Sequence, residues 1–143
     1  MAVTPRTFFQ PFAAAPFNGI HNFSTNTLKV ALTNVLPVNT YTQLSQISQI
    51  AAGGGYETGG FTVTVASSTQ TAGVYKLIIN DYTLTATGTI AEWQYAVLYN
   101  DTAANDPPML WYTYANPVNM VSGNTFLFDF DGTNGVINAQ FAA

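Results

Sequence analysis

The chain has 143 residues, of which 48% are hydrophobic, 14% aromatic and only 7% charged, with a net charge of −4 and no cysteine. A chain of this length fits one domain with a core large enough to need no staples, and the absence of cysteine removes disulfides, thiolate catalysis and cysteine-based zinc sites. Its three cations, Arg6, Lys29 and Lys76, are too few and too scattered for the basic patch that phosphate contacts require, so no nucleic-acid partner is expected.

An ordinary globular domain carries roughly 25% charged residues, so the surface of this one is unusually neutral. Either Thr, Asn, Gln and Ser solvate it, or much of it is covered by other chains, where charge is disfavoured. No apolar run approaches the ~20 residues of a membrane-spanning helix. Pro5, Pro11 and Pro16 interrupt the N-terminal stretch and leave no apolar core of about 7–15 residues for a signal peptide. The expectation is a chain neither secreted nor membrane-inserted.

Residues 1–26 hold five phenylalanines (Phe8, Phe9, Phe12, Phe17 and Phe23) and three prolines, with no helical or strand period. They read as an extended arm ahead of a β domain at 27–143. The rings need burial, either along their own domain or on a neighbour. The expectation is that Phe8, Phe9, Phe12 and Phe17 anchor the protein to an adjacent subunit, so that a chain lacking residues 2–18 still folds.

Thr27–Thr33 alternates, with Leu28, Val30 and Leu32 inward, and predicts the first strand. Thr42–Ile50 places Leu44, Ile47 and Ile50 three apart, which suits one or two helical turns with Thr42 as a cap. Gly53-Gly54-Gly55 and Gly59-Gly60 bracket a loop. That loop lacks the GK[ST] ending and the basic residue of a phosphate cradle. Phe61–Ala66 predicts a strand, Ser67–Gly73 a turn, and Val74–Ile79 and Tyr82–Ala86 two more strands. Glu92–Asp101 alternates Trp93, Tyr95, Val97 and Tyr99 against Gln94, Ala96, Leu98 and Asn100, and being apolar on both sides it expects cover on both. Met109–Tyr114 carries Trp111. Val118–Val121 follows, then Thr125–Asp131 with Phe126, Phe128 and Phe130 inward, and Val136–Phe141 closes the chain. Trp93, Tyr95, Tyr99, Trp111, Phe126, Phe128 and Phe130 are the expected strand aromatics of the core. About eight strands with turn signals between them predict an all-β, single-domain antiparallel β-sandwich of jelly-roll or Greek-key type.

Chemistry is sparse. His21 is the one histidine and has no acid close in sequence, so a surface or hydrogen-bonded structural role outweighs a catalytic one. Asp129 and Asp131 share one face at about 6.5–7 Å along a strand, a spacing found between glycosidase carboxylates, but both point outward into solvent. DFDGTNG (129–135) begins like a calcium loop, with Thr133 at the third ligand position and Gln140 at the twelfth, so at most a weak cation would bind. Asn100-Asp101-Thr102 is a formal glycosylation sequon. No catalytic, cofactor or metal site is expected. Trp93, Trp111, Tyr112 and Tyr114 could instead offer flat faces to sugar rings, the basis of an alternative carbohydrate- or receptor-binding reading.

HNFSTNTLKVALTN (21–34), AAGGGYETGG (51–60), YAVLYND (95–101) and FLFDFDG (126–132) resemble structural proteins of tailed-bacteriophage virions, capsid decoration or cement proteins among them. That resemblance implies a non-enzymatic protein on the outer capsid surface, partnered by the major capsid protein and by itself as a dimer or trimer. A tail or head-fibre component is the alternative, and no nucleic acid or membrane is expected as a partner.

Overall fold

A computed structural model describes residues 5–141. Among them are ten strands: β1 (Arg6–Phe8), β2 (Leu28–Thr33), β3 (Phe61–Val63), β4 (Val65–Thr71), β5 (Val74–Ile79), β6 (Tyr82–Thr85), β7 (Ile90–Asn100), β8 (Pro108–Met120), β9 (Thr125–Phe128) and β10 (Ile137–Gln140). Short 3-10 turns at Gln10–Ala13 and Leu44–Gln46 are the helical pieces among the described residues. The strands form a five-stranded sheet ordered β1-β8-β7-β2-β3, a three-stranded sheet β10-β5-β4 and a two-stranded sheet β6-β9. Every pairing is antiparallel. The molecule is a single-domain all-β sandwich, as expected.

The main core lies between the five-stranded sheet and the two smaller ones. Leu28, Val30 and Leu32 of β2 meet Leu77 and Ile79 of β5, Leu84 of β6, Trp93 and Leu98 of β7, and Phe128 of β9. A second cluster sits on the other face of the five-stranded sheet, where Phe9, Ile47, Val97 and Trp111 pack together with Tyr41, Leu44 and Tyr95 against them. This is the cover on both sides that the doubly apolar β7 required.

Four local differences from the expected elements have identifiable causes. The pairing of β7 with β8 shifts register between Trp93 and Tyr95. Trp93 therefore joins Ala96 and Leu98 in the main core, and Tyr95 and Val97 face the second cluster. A bulge breaks the period of two on which the alternation was read. The expected strand Phe61–Ala66 is two strands in different sheets: the chain leaves the first at Thr64, whose carbonyl accepts the Asn80 N–H at 2.9 Å. Ser67–Thr71 is strand rather than turn, and the reversal is confined to Ala72 and Gly73, both at positive φ (51° and 80°). That is the backbone of a tight two-residue hairpin, whose twist matches the flanking strands. At 42–50 one 3-10 turn forms, capped through Gln46 rather than the Thr42 hydroxyl: Gln46 Oε1 accepts the backbone N–H groups of Thr42 (2.7 Å) and Gln43 (3.1 Å).

Of residues 1–26, the first four lie outside the described residues. The expected extended conformation holds for Arg6–Phe8, which adds a strand to the edge of β8 with Arg6 opposite Tyr112 and Phe8 opposite Leu110. It ends at Gln10–Ala13, where Pro11 begins a 3-10 turn. The free edge of β8 supplies the backbone partners that make a strand of the first segment.

Candidate functional site

The four phenylalanines expected as anchors take separate places. Phe9 is 1% exposed, its ring 4.7 Å from that of Trp111. It is committed to its own domain and cannot serve as an anchor elsewhere. Phe12 packs against the main core. Phe8 stacks on Phe12 at 5.7 Å and is partly exposed. Phe17 is 72% exposed. The strand aromatics are interior: Trp93, Tyr99, Trp111, Phe128 and Phe130 are buried, with Tyr95 and Phe126 partly so. Tyr112 is buried as well and Tyr114 packs against the core, so the flat faces proposed for sugar rings are spent inside the sandwich. Aromatic residues at this density on paired strands are worth most as core.

The chemistry-bearing motifs are also accounted for internally. Asp131 Oδ1 accepts the N–H groups of Thr133 (2.9 Å) and Asn134 (2.8 Å), which holds its carboxyl below the ordinary range. That is a turn cap, and Asp129 is exposed beyond the end of β9. Among the described residues no three His, Cys, Asp or Glu side chains gather as a metal site. In the glycine loop, Gly59 N–H donates to Gln49 Oε1 at 2.8 Å, and the Tyr99 hydroxyl donates to the Gly59 carbonyl at 2.5 Å. Tyr56 accepts the Leu32 N–H at 2.9 Å and donates to Gln49 at 3.0 Å. Its hydroxyl pKa is pushed up to about 12 by burial. The loop is fastened to β2 and β7 and offers no cradle.

His21 stands out from this inventory. It is 9% exposed, and Asn100 Nδ2 lies 3.0 Å from its Nδ1. The orientation of the Asn100 amide is decided by its other contacts. Oδ1 accepts the N–H groups of Thr102 (2.9 Å) and Ala103 (3.2 Å), and Nδ2 also donates to Asn26 Oδ1 at 2.8 Å. The NH2 group therefore points at His21, Nδ1 is the acceptor, and the ring proton resides on Nε2. Burial lowers the His21 pKa, which keeps the ring neutral. Asn100 is fully buried, so the sequon is a structural network and not an accessible glycosylation site.

The same histidine lies in a row of rings. Phe12 is 5.4 Å from His21, His21 stacks on Phe23 at 5.3 Å with planes 10° apart, and Phe23 lies 6.5 Å from Tyr75 of β5. This row lines one side of a half-open groove of about 680 Å³ between the first segment and the three-stranded sheet. Phe17 and Phe141, 6.0 Å apart and edge to face, also line it. The sequence could not assemble this groove, because its residues come from 12–24, from β4 and β5, and from the end of the chain. The HNF triplet at 21–23 was the one local sign of it.

Residues 19–97, just over half the chain, match the proprotein convertase P-domain family. The chain belongs to that family. The match begins at the turn before His21, runs through β2 to β6 and ends within β7, so it contains His21, Phe23 and Tyr75 of the ring row, with Phe12 lying ahead of it, and both β2 faces. No curated protein matches significantly, and no solved structure does. P-domain membership overturns the resemblance to phage decoration proteins, and with it the virion function, the outer-capsid location and the tail-fibre alternative. The motifs behind that resemblance are alternating strands and glycine turns, which any sandwich of this kind needs and which do not report function.

Proposed function

We propose that this chain is a non-catalytic β-sandwich that works as an accessory domain docked on the protease part of a proprotein convertase. The observation that carries the reading is the P-domain match across the central part of the fold. The character of the surface supports it. Charged residues make up 7% of the chain, and the loop between β2 and the Leu44–Gln46 turn exposes Val35, Leu36 and Val38 beside one another. An uncharged aliphatic loop on a rigid sandwich is suited to the centre of a protein contact, where charge is depleted. The turn is held firmly, since the Thr33 hydroxyl donates to the Ser48 carbonyl at 2.6 Å and accepts the Val35 N–H at 3.0 Å. Self-association belongs to the same proposal as a second use of this low-charge surface. Nucleic acid stays outside it for want of clustered cations, and no helix among the described residues is long and apolar enough to cross a membrane.

Mixing the recombinant chain with a convertase catalytic domain stripped of its own P-domain tests the reading. The expected result is co-elution and a raised melting temperature of the catalytic domain, both weakened by Leu36→Asp. Failure to co-elute at micromolar concentration, or turnover of a peptide substrate by the chain alone, would overturn it. Sedimentation of the chain by itself reports separately on self-association.

A further inference from the structure

We propose that the groove beside His21 binds a small, uncharged, planar aromatic molecule whose hydrogen-bond acceptor takes the Nε2–H of His21. This goes beyond the accessory-domain reading and does not depend on it.

The volume, about 680 Å³, falls within the roughly 300–1,000 Å³ of small-molecule sites, which are mostly apolar with a few placed polar groups. The rings of Phe12, His21, Phe23 and Tyr75 present successive aromatic surface, and Phe17 and Phe141 flank the opening. Offset and edge contacts to such rings favour a flat aromatic guest. No Asp, Glu, Lys or Arg lines the groove. A charged ligand would lose its hydration without gaining a partner, so the guest is neutral.

Direction comes from His21. Its Nδ1 is occupied by Asn100, and Nε2 has no hydrogen-bond partner among the described residues. His21, nine-tenths buried, lines this mostly apolar groove, and its Nε2–H gives the acceptor of a guest, such as a carbonyl oxygen, a donor to pair with. Of the other polar side chains that line the groove, the Tyr75 hydroxyl and Ser68 Oγ are 2.9 Å apart and satisfy each other, and Asn22 Oδ1 accepts the Ser24 N–H at 3.2 Å. Phe17 and Phe141 are 72% and 68% exposed. Apolar rings left so open gain most from a guest that covers them.

The test is a titration of the full chain with 2-naphthamide, followed by 1H–15N NMR. 2-Methylnaphthalene, which lacks the acceptor, and 2-naphthoate, which is charged, serve as comparators. Saturable shifts centred on His21, Phe23, Tyr75 and Phe141 are expected. The amide should bind about fivefold or more tightly than either comparator, the usual worth of one hydrogen bond. His21→Phe keeps a ring and removes the donor, so it should bring the amide down to the methylnaphthalene affinity. The pair Phe17→Ala with Phe141→Ala changes only exposed rings, leaves the fold intact and should weaken all binding by about fivefold. Shifts centred elsewhere, no saturation, equal affinity in the double variant, or tighter binding of the naphthoate would each overturn the proposal.

Discussion

Two aromatic clusters of this sandwich are built from the same residue types and serve opposite ends. Around Trp93, the rings of Tyr114, Phe126 and Phe128 close within 4.9–5.4 Å, and Trp93 has no exposed surface. Around His21, the rings stand in a row rather than a knot, and the outermost, Phe17, is 72% exposed. The first cluster lies between sheets whose hydrogen bonding fixes every backbone, so its side chains interdigitate to interior density. The second is laid down by turns at 14–26 against the outer part of the three-stranded sheet, where no further sheet closes over it. Closure therefore depends on how many paired strands surround a set of rings.

The closed cluster should be the more sensitive to truncation. Trp93→Ala is expected to cost about 3–5 kcal/mol, the range for emptying a buried aromatic site, measured by urea denaturation. A loss under about 1 kcal/mol would mean that the sheets do not pack on this ring. Phe9→Ala should follow closely, toward the lower end of the same range, because Phe9 covers Trp111 from the first segment. Deleting residues 2–18 removes β1 and Phe9 together and should destabilise the domain at least as much. A truncated chain with unchanged melting temperature would restore the idea of a detachable arm.

A smaller effect distinguishes the clusters by pH. His21 titrates in the folded state below its ordinary 6.5, because burial disfavours the charged ring and Asn100 presents a donor to Nδ1. The unfolded chain takes up the proton first. The contribution is whole above pH 6.5 and is lost as the pH falls through the folded-state value. His21→Phe should flatten this stretch of the stability profile. It should leave untouched the separate loss below about pH 3.8, where protonation of Asp131 releases its turn. The smallest effect belongs to the groove's rim. Phe17→Ala should change stability by no more than about 0.5 kcal/mol by thermal melting, and a larger loss would place Phe17 in the core.

Gly60 sets how closely the glycine loop can approach β2. It has φ +80°, and a Cβ there would overlap the Val30 carbonyl oxygen. Only glycine lets the loop close on β2 and start β3 in register with it. Gly60→Ala should destabilise the domain by more than the ~1 kcal/mol of an ordinary glycine substitution.

The sequence by itself determined a good deal. Alternation in 27–33 and 125–128 was enough for strands and for their inward faces, because one buried side imposes a period of two. The glycine pairs marked turns, and seven strand aromatics were recognisable as interior. The candidate groove was not legible. Its rings are separated by up to 129 positions, from Phe12 to Phe141, and come together only through the pairing of β5 with β10 and the turns at 14–26. Nor did any local pattern show that Phe9 is core while Phe17 is open. Both are phenylalanines in the same proline-rich segment, and the difference is made by β8, which captures Arg6–Phe8 as a strand and so delivers Phe9 onto Trp111. Local periodicity reports which side of a strand is buried. Which rings find a partner depends on contacts between residues far apart in the chain, and those exist only once the sheets have assembled.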